Sequence, residues 1–140
     1  MTRFFLDTNV VLDFLTRREP FAVQAADLFQ LAEDRKVRLY CSSLSFSQIH
    51  YILRKIIGSV PARSLLLELA ALVTIVAVDS RNVQDALQSA FIDFEDALQY
   101  YAASAAAESG PEAIITRDPK GFSASQLPVL SPAEALRRVA

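Results

Sequence analysis

The stretch that most constrains this chain is Phe-Phe-Leu-Asp-Thr-Asn at residues 4–9, which Val-Val-Leu follows. An apolar run ends abruptly at Asp7, and the apolar residues after it recur with helical spacing. A buried strand carries polar side chains to the carboxyl edge of a sheet in this way, and ligands of open α/β sheets bind at that edge. We therefore interpret Asp7 as the first ligand of a metal site.

Predicted strands and helices alternate along the chain. Apolar and β-branched runs predict strands at residues 3–6, 37–41, 74–78, 113–116 and 128–130. Caps and breakers predict helices that end near residues 18, 35, 57, 72, 90 and 108, and a last helix from residue 131. The helix that ends near residue 72 is expected to open at Pro61. Thr8 or Asn9 is expected to cap the first helix, residues 121–125 to form a loop, and the third strand to be buried on both faces. The pattern predicts one α/β domain over residues 1–140 with a mostly parallel central sheet of four to five strands.

The composition excludes several classes of protein. The apolar runs are strand-sized, short of the roughly 18 residues of a membrane helix, and Asp7 interrupts the first run too soon for a signal peptide. A lone Cys41 and a single His50 exclude an intramolecular disulfide and a His-rich zinc site. We expect a cytoplasmic protein that does not use a membrane. The net charge of −2 gives no overall basic surface, so nucleic-acid binding would depend on local patches.

Acidic residues occur at three comparable points of the predicted fold. Asp7 follows the first strand, Asp118 follows the fourth, and Asp93, Glu95 and Asp96 open the helix between the third and fourth strands. In a doubly wound sheet these groups can converge on one crevice. Carboxylates that close together repel unless a cation neutralises them or some remain protonated. Oxygen ligands without His or Cys favour Mg²⁺ or Mn²⁺, and the chemistry implied is phosphodiester hydrolysis.

Each acid also has a purely structural interpretation. Asp7 could cap the first helix, although the next two residues already supply caps. Asp93 and Asp96 have the spacing of a capping box, and Asp118 before a proline is a common turn opener. An acid after two separate strands together with an acidic helix start favours the metal site.

Three segments carry a family resemblance: Leu6-Asp7-Thr8-Asn9, Asp93-Phe94-Glu95-Asp96-Ala97-Leu98 and Ile115-Thr116-Arg117-Asp118. In this order they resemble the PIN domain, the ribonuclease domain found in VapC-type toxins, and residues 44–55 are similar to a bacterial subgroup. The resemblance spans essentially the whole chain. It implies a three-layer α/β/α sandwich and a Mg²⁺- or Mn²⁺-dependent endoribonuclease, and it implies an antitoxin partner because many such toxins are held inactive by an antitoxin peptide.

The resemblance assigns roles to individual residues. Asp7, Asp96 and Asp118 match the metal-binding and catalytic acids, and Asn9 and Thr116 match polar residues that orient the acids or a metal-bound water. Glu95 is a further candidate metal ligand beside Asp96.

One position departs from the family pattern. Many PIN nucleases have a glutamate in the helix after the second strand, where this chain has Gln48. An amide can hydrogen-bond a metal-bound water but supplies no charge. Weak activity or the loss of one metal is therefore expected, unless the cluster of Asp93, Glu95 and Asp96 compensates.

Basic residues supply candidate RNA contacts. Arg117 and Lys120 flank Asp118, and Arg54 and Lys55 lie near the end of the helix that carries Gln48. Each could bind a phosphate, although a lone surface cation is more often simply solvated.

Other residues have mainly structural interpretations. Tyr100 and Tyr101 could stack on bases, but packing is expected for at least one of them. His50 is expected to pack or to lie at the surface, and Cys41 to be buried. The apolar excess of residues 22–35 and 44–72 predicts a homodimer or an antitoxin surface.

Two functions remain open. The leading hypothesis is a metal-dependent endoribonuclease, the toxin of a toxin–antitoxin pair. The alternative is a PIN-like RNA-binding or regulatory module that is weak or inactive as an enzyme. A phosphatase with an aspartate nucleophile would place a second aspartate two residues after Asp7, and Asn9 argues against it.

Overall fold

The computed structural model describes residues 1–105 and 109–140. Within those residues the elements are, in chain order, β1 (Thr2–Leu6), α1 (Thr8–Leu15), α2 (Ala22–Glu33), β2 (Val37–Ser42), α3 (Ser43–Ile57), α4 (Ser59–Leu72), β3 (Thr74–Val76), α5 (Ser80–Leu87), α6 (Phe94–Ala105), β4 (Ala113–Ile115), a 3₁₀ turn (Pro119–Phe122), β5 (Val129–Leu130) and α7 (Pro132–Val139). The five predicted strands are all present.

The strands form one sheet in the order β3-β2-β1-β4-β5, and every pairing is parallel. β1 is central, with Phe4 opposite Leu39 of β2 on one side and Ala113 of β4 on the other. The chain builds outward from β1 to β3 and then returns to place β4 on the other side of β1. The carboxyl ends of β1 and β4 therefore form the topological switch point, where ligands of such sheets bind.

Alternate residues of β1 enter two different cores, as the two faces of a strand require. Phe4 and Leu6 pack into a cluster with α1, α2, α3, α4 and α7, whereas Phe5 packs on the opposite face with Tyr100 of α6 and Phe122. A third cluster joins α5 to α6 through Ala86. Helices thus cover both faces of the sheet, and the predicted three-layer α/β/α architecture is confirmed.

The prediction for the third strand was wrong in two respects. β3 ends at Val76 rather than at residue 78, and its residues are not buried on both faces, since Ile75 is 47% exposed. The reason is position: β3 pairs only with β2, so it is an edge strand. A β-branched run specifies a strand, but it does not specify a place inside the sheet.

Helix ends follow local signals where those signals are strong. Gly58, with φ of 87°, ends α3 as predicted, and Ser131 forms a capping box with Glu134 at the start of α7. α1 is shorter than predicted, because the chain leaves the helix at Thr16 and takes a positive φ at Arg17.

Three further boundaries differ from prediction or lie outside it. α4 begins at Ser59, ahead of the predicted proline start. The predicted loop at residues 121–125 overlaps the 3₁₀ turn, which runs through Phe122. The predicted end of α6 near residue 108 lies outside the described residues, and the helix is described to Ala105. In the described part of the chain, no helix is long and apolar enough to cross a membrane.

Candidate acidic site at the sheet edge

Asp7 lies at the carboxyl end of β1 with both carboxylate oxygens held. Oδ1 accepts a hydrogen bond from the Thr8 backbone N–H at 2.8 Å, and Oδ2 accepts one from the Thr116 hydroxyl at 2.8 Å. Asp7 is therefore the N-cap of α1, and the prediction that Thr8 or Asn9 caps it was wrong. The side chain is only 8% exposed, and burial raises the pKa of Asp7 although both hydrogen bonds lower it. Capping fixes the orientation of this carboxylate but does not remove it from the cleft.

The end of β4 supplies the residues that surround Asp7. Thr116 is fully buried; its hydroxyl accepts a hydrogen bond from the Asp118 backbone N–H at 3.0 Å while it donates to Asp7. Asn9 contacts Thr116 through Nδ2 at 3.4 Å and accepts from the Arg117 backbone N–H at 3.4 Å. Thr116 therefore holds Asp7 directly, and Asn9 contacts Thr116 rather than Asp7.

The first turn of α6 brings a second carboxylate to the same place. Asp93 accepts a hydrogen bond from the Asp96 backbone N–H at 2.9 Å, so Asp93 has the capping role that its spacing indicated. The carboxylate of Asp96 makes no hydrogen bond within residues 1–105 and 109–140. Burial, followed by the charge of Asp7 and of the other nearby acids, raises the pKa of Asp96 to about 7.

Gly121 borders the carboxylate of Asp96. A Cβ added at Gly121 would lie 2.2 Å from Oδ2 of Asp96, well inside contact distance. The 3₁₀ turn therefore approaches α6 closely only because this residue has no side chain.

Asp7 and Asp96 share a cleft of about 640 Å³. The residues that line it are Asp7, Thr8, Asn9, Leu12, Ser47, Gln48, Tyr51, Ile52, Glu95, Asp96 and Gln99. The lining includes the acids Asp7, Glu95 and Asp96 and the apolar side chains of Leu12 and Ile52. Asp118 is exposed and does not line the cleft, but its charge raises the pKa of both Asp7 and Asp96.

The sequence did not indicate a series of hydrogen-bonded neutral side chains at the cleft. Gln99, only 2% exposed, accepts from the Ser42 hydroxyl and donates to Ser45 at 2.8 Å and to Thr8 at 3.1 Å. The Thr8 hydroxyl donates to Gln48, and Gln48 donates to Glu95. The signal that could have found Gln99 is its spacing of one turn after Asp96, which places both on one face of α6.

Arg117 is bound within the protein. Its guanidinium makes a bidentate ion pair with Asp13, which is 1% exposed, and it lies over the ring of Phe21 at 3.9 Å. Sequence reasoning missed Asp13, whose only signal is a charge in an otherwise apolar helix. The RNA contact of Arg117 stays a prediction, and the ion pair occupies much of the side chain that would make it.

The other basic candidates lie at the surface. Arg54 and Lys55 both contact the ring of Tyr51, with the Lys55 Nζ 3.9 Å from the ring centroid, and Tyr51 lines the cleft. Lys120 is exposed on the 3₁₀ turn. Their contacts with RNA also stay predictions.

The expected structural residues behave as expected. Tyr100 is buried against Phe91 and Phe5, so the packing prediction is confirmed for it. His50 lies 3.5 Å from the hydroxyl of Ser59, away from the cleft lining. Cys41 is buried, and burial raises the pKa of its thiol to about 12.

The donor atoms at the cleft are carboxylate, amide and hydroxyl oxygens, which hard divalent cations prefer. Among the residues that the structure describes, no three His, Cys, Asp or Glu side chains already meet closely enough to hold an ion by themselves. Mg²⁺ keeps several waters and is often bound through only one or two carboxylates, so the absence of a preformed group of three ligands does not conflict with the predicted metal site.

Fold and site define a parallel α/β/α protein with an acidic cleft at the switch point of its sheet. A family model described as PIN domain matches residues 3–120. The chain belongs to the PIN domain family, as its sequence indicated. No curated protein sequence matches it.

Two solved structures have the same fold. One is VapBC2 from Rickettsia felis bound to a DNA fragment from their promoter, with a TM-score of 0.65 and 17% identity over 93% of this chain and 98% of that one. The other is DNA-bound VapBC from Salmonella typhimurium, with a TM-score of 0.66 and 15% identity over 94% of this chain and 99% of that one. At these identities the likeness shows the fold alone.

Proposed function

We propose that this PIN domain is a Mg²⁺- or Mn²⁺-dependent endoribonuclease and the toxin of a toxin–antitoxin pair. The observation that carries the proposal is the pairing of Asp7 and Asp96 in one cleft at the switch point of the sheet. The pKa of Asp96 is raised to about 7, first by burial and then by the charges of the surrounding carboxylates, which disfavour its ionised form. A bound cation favours the ionised form of carboxylates that lie this close together.

The metal would be held by Asp7 and Asp96, with Glu95 at the cleft wall and Asp118 nearby. A bound Mg²⁺ or Mn²⁺ would supply an activated water and neutralise charge on the phosphodiester. The chain itself orients Asp7 through Thr116, whose hydroxyl fixes one carboxylate oxygen. Arg54, Lys55 and Lys120 are the candidates for holding RNA phosphates.

The test is Mn²⁺-dependent cleavage of RNA by the wild type and by Asp7→Asn and Asp96→Asn. Both substitutions should reduce cleavage to background, since each removes a ligand charge while keeping the side-chain shape. Asp27→Asn, at an exposed acid of α2, is the matched control and should cleave normally. Cleavage retained by both site variants would contradict the site assignment.

The alternative function is an RNA-binding or regulatory module with weak or no activity. The neutral side chain of Gln48 at the cleft favours it, since an amide adds no charge to the site. Wild-type protein that binds Mn²⁺ and RNA but cleaves no RNA would support the alternative over the nuclease.

An antitoxin partner and a homodimer belong to the same proposal. Both structural neighbours are VapBC complexes, and in this chain the apolar side chains of Leu12 and Ile52 line the same cleft as the acids. An antitoxin segment in the cleft would cover Asp7 and Asp96. RNA cleavage should then fall in proportion to the amount of added protein encoded by an adjacent antitoxin gene. Unaffected cleavage would exclude that partner.

The homodimer is tested by light scattering. The measured mass should be that of a dimer, and a monomer mass would exclude the dimer.

A further inference from the structure

The hydrogen bonds beneath the cleft run in one direction. The hydroxyl proton of Ser42 goes to Oε1 of Gln99 at 2.5 Å, and the two amide protons of Gln99 go to Ser45 and Thr8. Thr8 then donates its only side-chain proton to Oε1 of Gln48 at 2.8 Å. The Thr8 and Ser45 hydroxyls also lie 2.8 Å apart, and either of them can donate in that contact.

The carboxylate of Glu95 determines how the amide of Gln48 is turned. If Nε2 of Gln48 faced Thr8, Oε1 would face the carboxylate of Glu95 at 2.6 Å with no proton between them. Gln48 must therefore accept from Thr8 and donate outward.

The outward donor meets Glu95. Nε2 of Gln48 donates to Oε2 of Glu95 at 2.6 Å, a short hydrogen bond of the kind that a charged acceptor favours. Both residues line the same cleft as Asp7 and Asp96. A carboxylate at position 48 would instead place two negative oxygens against each other.

We propose that Gln48 is a positioning residue that holds the carboxylate of Glu95 at the wall of the acidic cleft, so that Glu95 is the further acid presented to the cation. The proposal rests on the proposed metal-dependent function and adds to it the source of this charge: α6 supplies the acid, and the amide on α3 directs it. Thr8 holds the amide oxygen of Gln48, and Thr8 is in turn hydrogen-bonded to Gln99 and Ser45.

The test is the affinity for Mn²⁺ alone, measured by titration calorimetry on Glu95→Gln, Gln48→Glu and the exchanged double variant Gln48→Glu/Glu95→Gln. Glu95→Gln should bind Mn²⁺ about tenfold more weakly. Gln48→Glu adds a carboxylate and should bind Mn²⁺ more tightly. The exchanged pair restores one acid and one amide in contact, and its affinity should return towards that of the wild type.

Gln48→Met separates positioning from charge. It keeps the side-chain length and loses both hydrogen bonds, so Mn²⁺ binding should again weaken by about tenfold although no ligand charge is removed. Glu33→Gln, at an exposed acid of α2, is the control for loss of one negative charge. Two results would overturn the proposal. One is an affinity for Mn²⁺ in Gln48→Met or Glu95→Gln that equals the affinity of the Glu33→Gln control. The other is an affinity of the exchanged double variant that is no higher than that of Glu95→Gln.

The metal-free protein supplies an independent readout. In EDTA, Gln48→Glu should lower the Tm because it opposes two carboxylates, and adding Glu95→Gln should recover the loss. If the wild type binds no Mn²⁺, the proposed function fails and the role of Glu95 towards the cation fails with it. The EDTA melts still show whether Gln48 holds Glu95, so the two failures are distinguishable.

Discussion

Replacing Asp96 with asparagine should stabilise the metal-free protein at alkaline pH. The wild-type carboxylate has a pKa raised from 3.8 to about 7, first by burial and then by the charges of Asp7, Asp93, Asp118 and Glu95. It makes no hydrogen bond in the described part of the chain, so asparagine loses no partner. The substitution removes a charge that the folded state holds unfavourably.

The magnitude follows from the pKa. A rise from 3.8 to about 7 corresponds to about 4 kcal/mol of unfolding free energy once the group is ionised in both states. The side chain of Asp96 is partly exposed, and solvent screening reduces this to about 1–2 kcal/mol. At about 4 °C per kcal/mol, the Tm should rise by about 4–8 °C.

The sign depends on pH. Because the folded state raises the pKa of this acid, the folded protein binds the proton more tightly than the unfolded chain does, and stability falls as pH rises from about 4 to about 7. Asparagine does not titrate. The advantage of Asp96→Asn should therefore be small at pH 4.5 and full at pH 8.

The assay is urea unfolding followed by circular dichroism in EDTA at both pH values, with Asp27→Asn as the control. Excess Mg²⁺ should cancel the advantage of Asp96→Asn at pH 8, because a cation that binds only the folded wild type stabilises it by mass action. A variant that is less stable than the wild type at pH 8 in EDTA, or equally stabilised at both pH values, would refute the reasoning.

Three further predictions concern the surroundings of the site. Gly121→Ala should force the Asp96 carboxylate to turn away and should weaken Mn²⁺ binding about tenfold, as measured by calorimetry, while the Tm stays nearly unchanged. An unchanged affinity for Mn²⁺ would contradict the close approach of Gly121 to Asp96. Arg117→Met leaves the buried Asp13 charge unpaired and should cost about 3 kcal/mol in urea unfolding at pH 7; a cost below about 1 kcal/mol would mean the pair is only a surface bridge. Cys41 should not react with iodoacetamide at pH 8 in the folded protein and should react in urea, because burial raises the pKa of its thiol to about 12; rapid labelling of the folded protein would show that Cys41 is accessible.

Much of the fold was predictable because its signals are local. Gly58 ends α3 since a positive φ is easy for glycine, and Ser131 begins α7 through a capping box that spans four residues. The alternation of strands and helices, and the acid at the end of β1, likewise depend on neighbouring residues. These features predicted a parallel α/β protein, whereas the family was indicated by the resemblance of three segments and then shown by the family model.

The remaining features depend on contacts between residues far apart in the chain. The sequence marked Arg117 as a free cation, but folding pairs it with Asp13, more than 100 positions earlier. It marked β3 as a strand, but only the pairing order shows that β3 is an edge. Gln99 looked like an ordinary helix residue until packing placed it beneath Thr8 and Ser45.

The sequence by itself determined which chemical groups this protein can use: carboxylates at strand and helix ends, and an amide at position 48. The tertiary structure decided how those groups meet, with Asp7 and Asp96 in one cleft and Gln48 turned so that it holds Glu95. The physical reason is the separation along the sequence over which each interaction acts. Caps, turns and strand propensity act over a few residues, whereas the direction of a buried hydrogen-bond chain and the repulsion among acids exist only after distant segments have packed together.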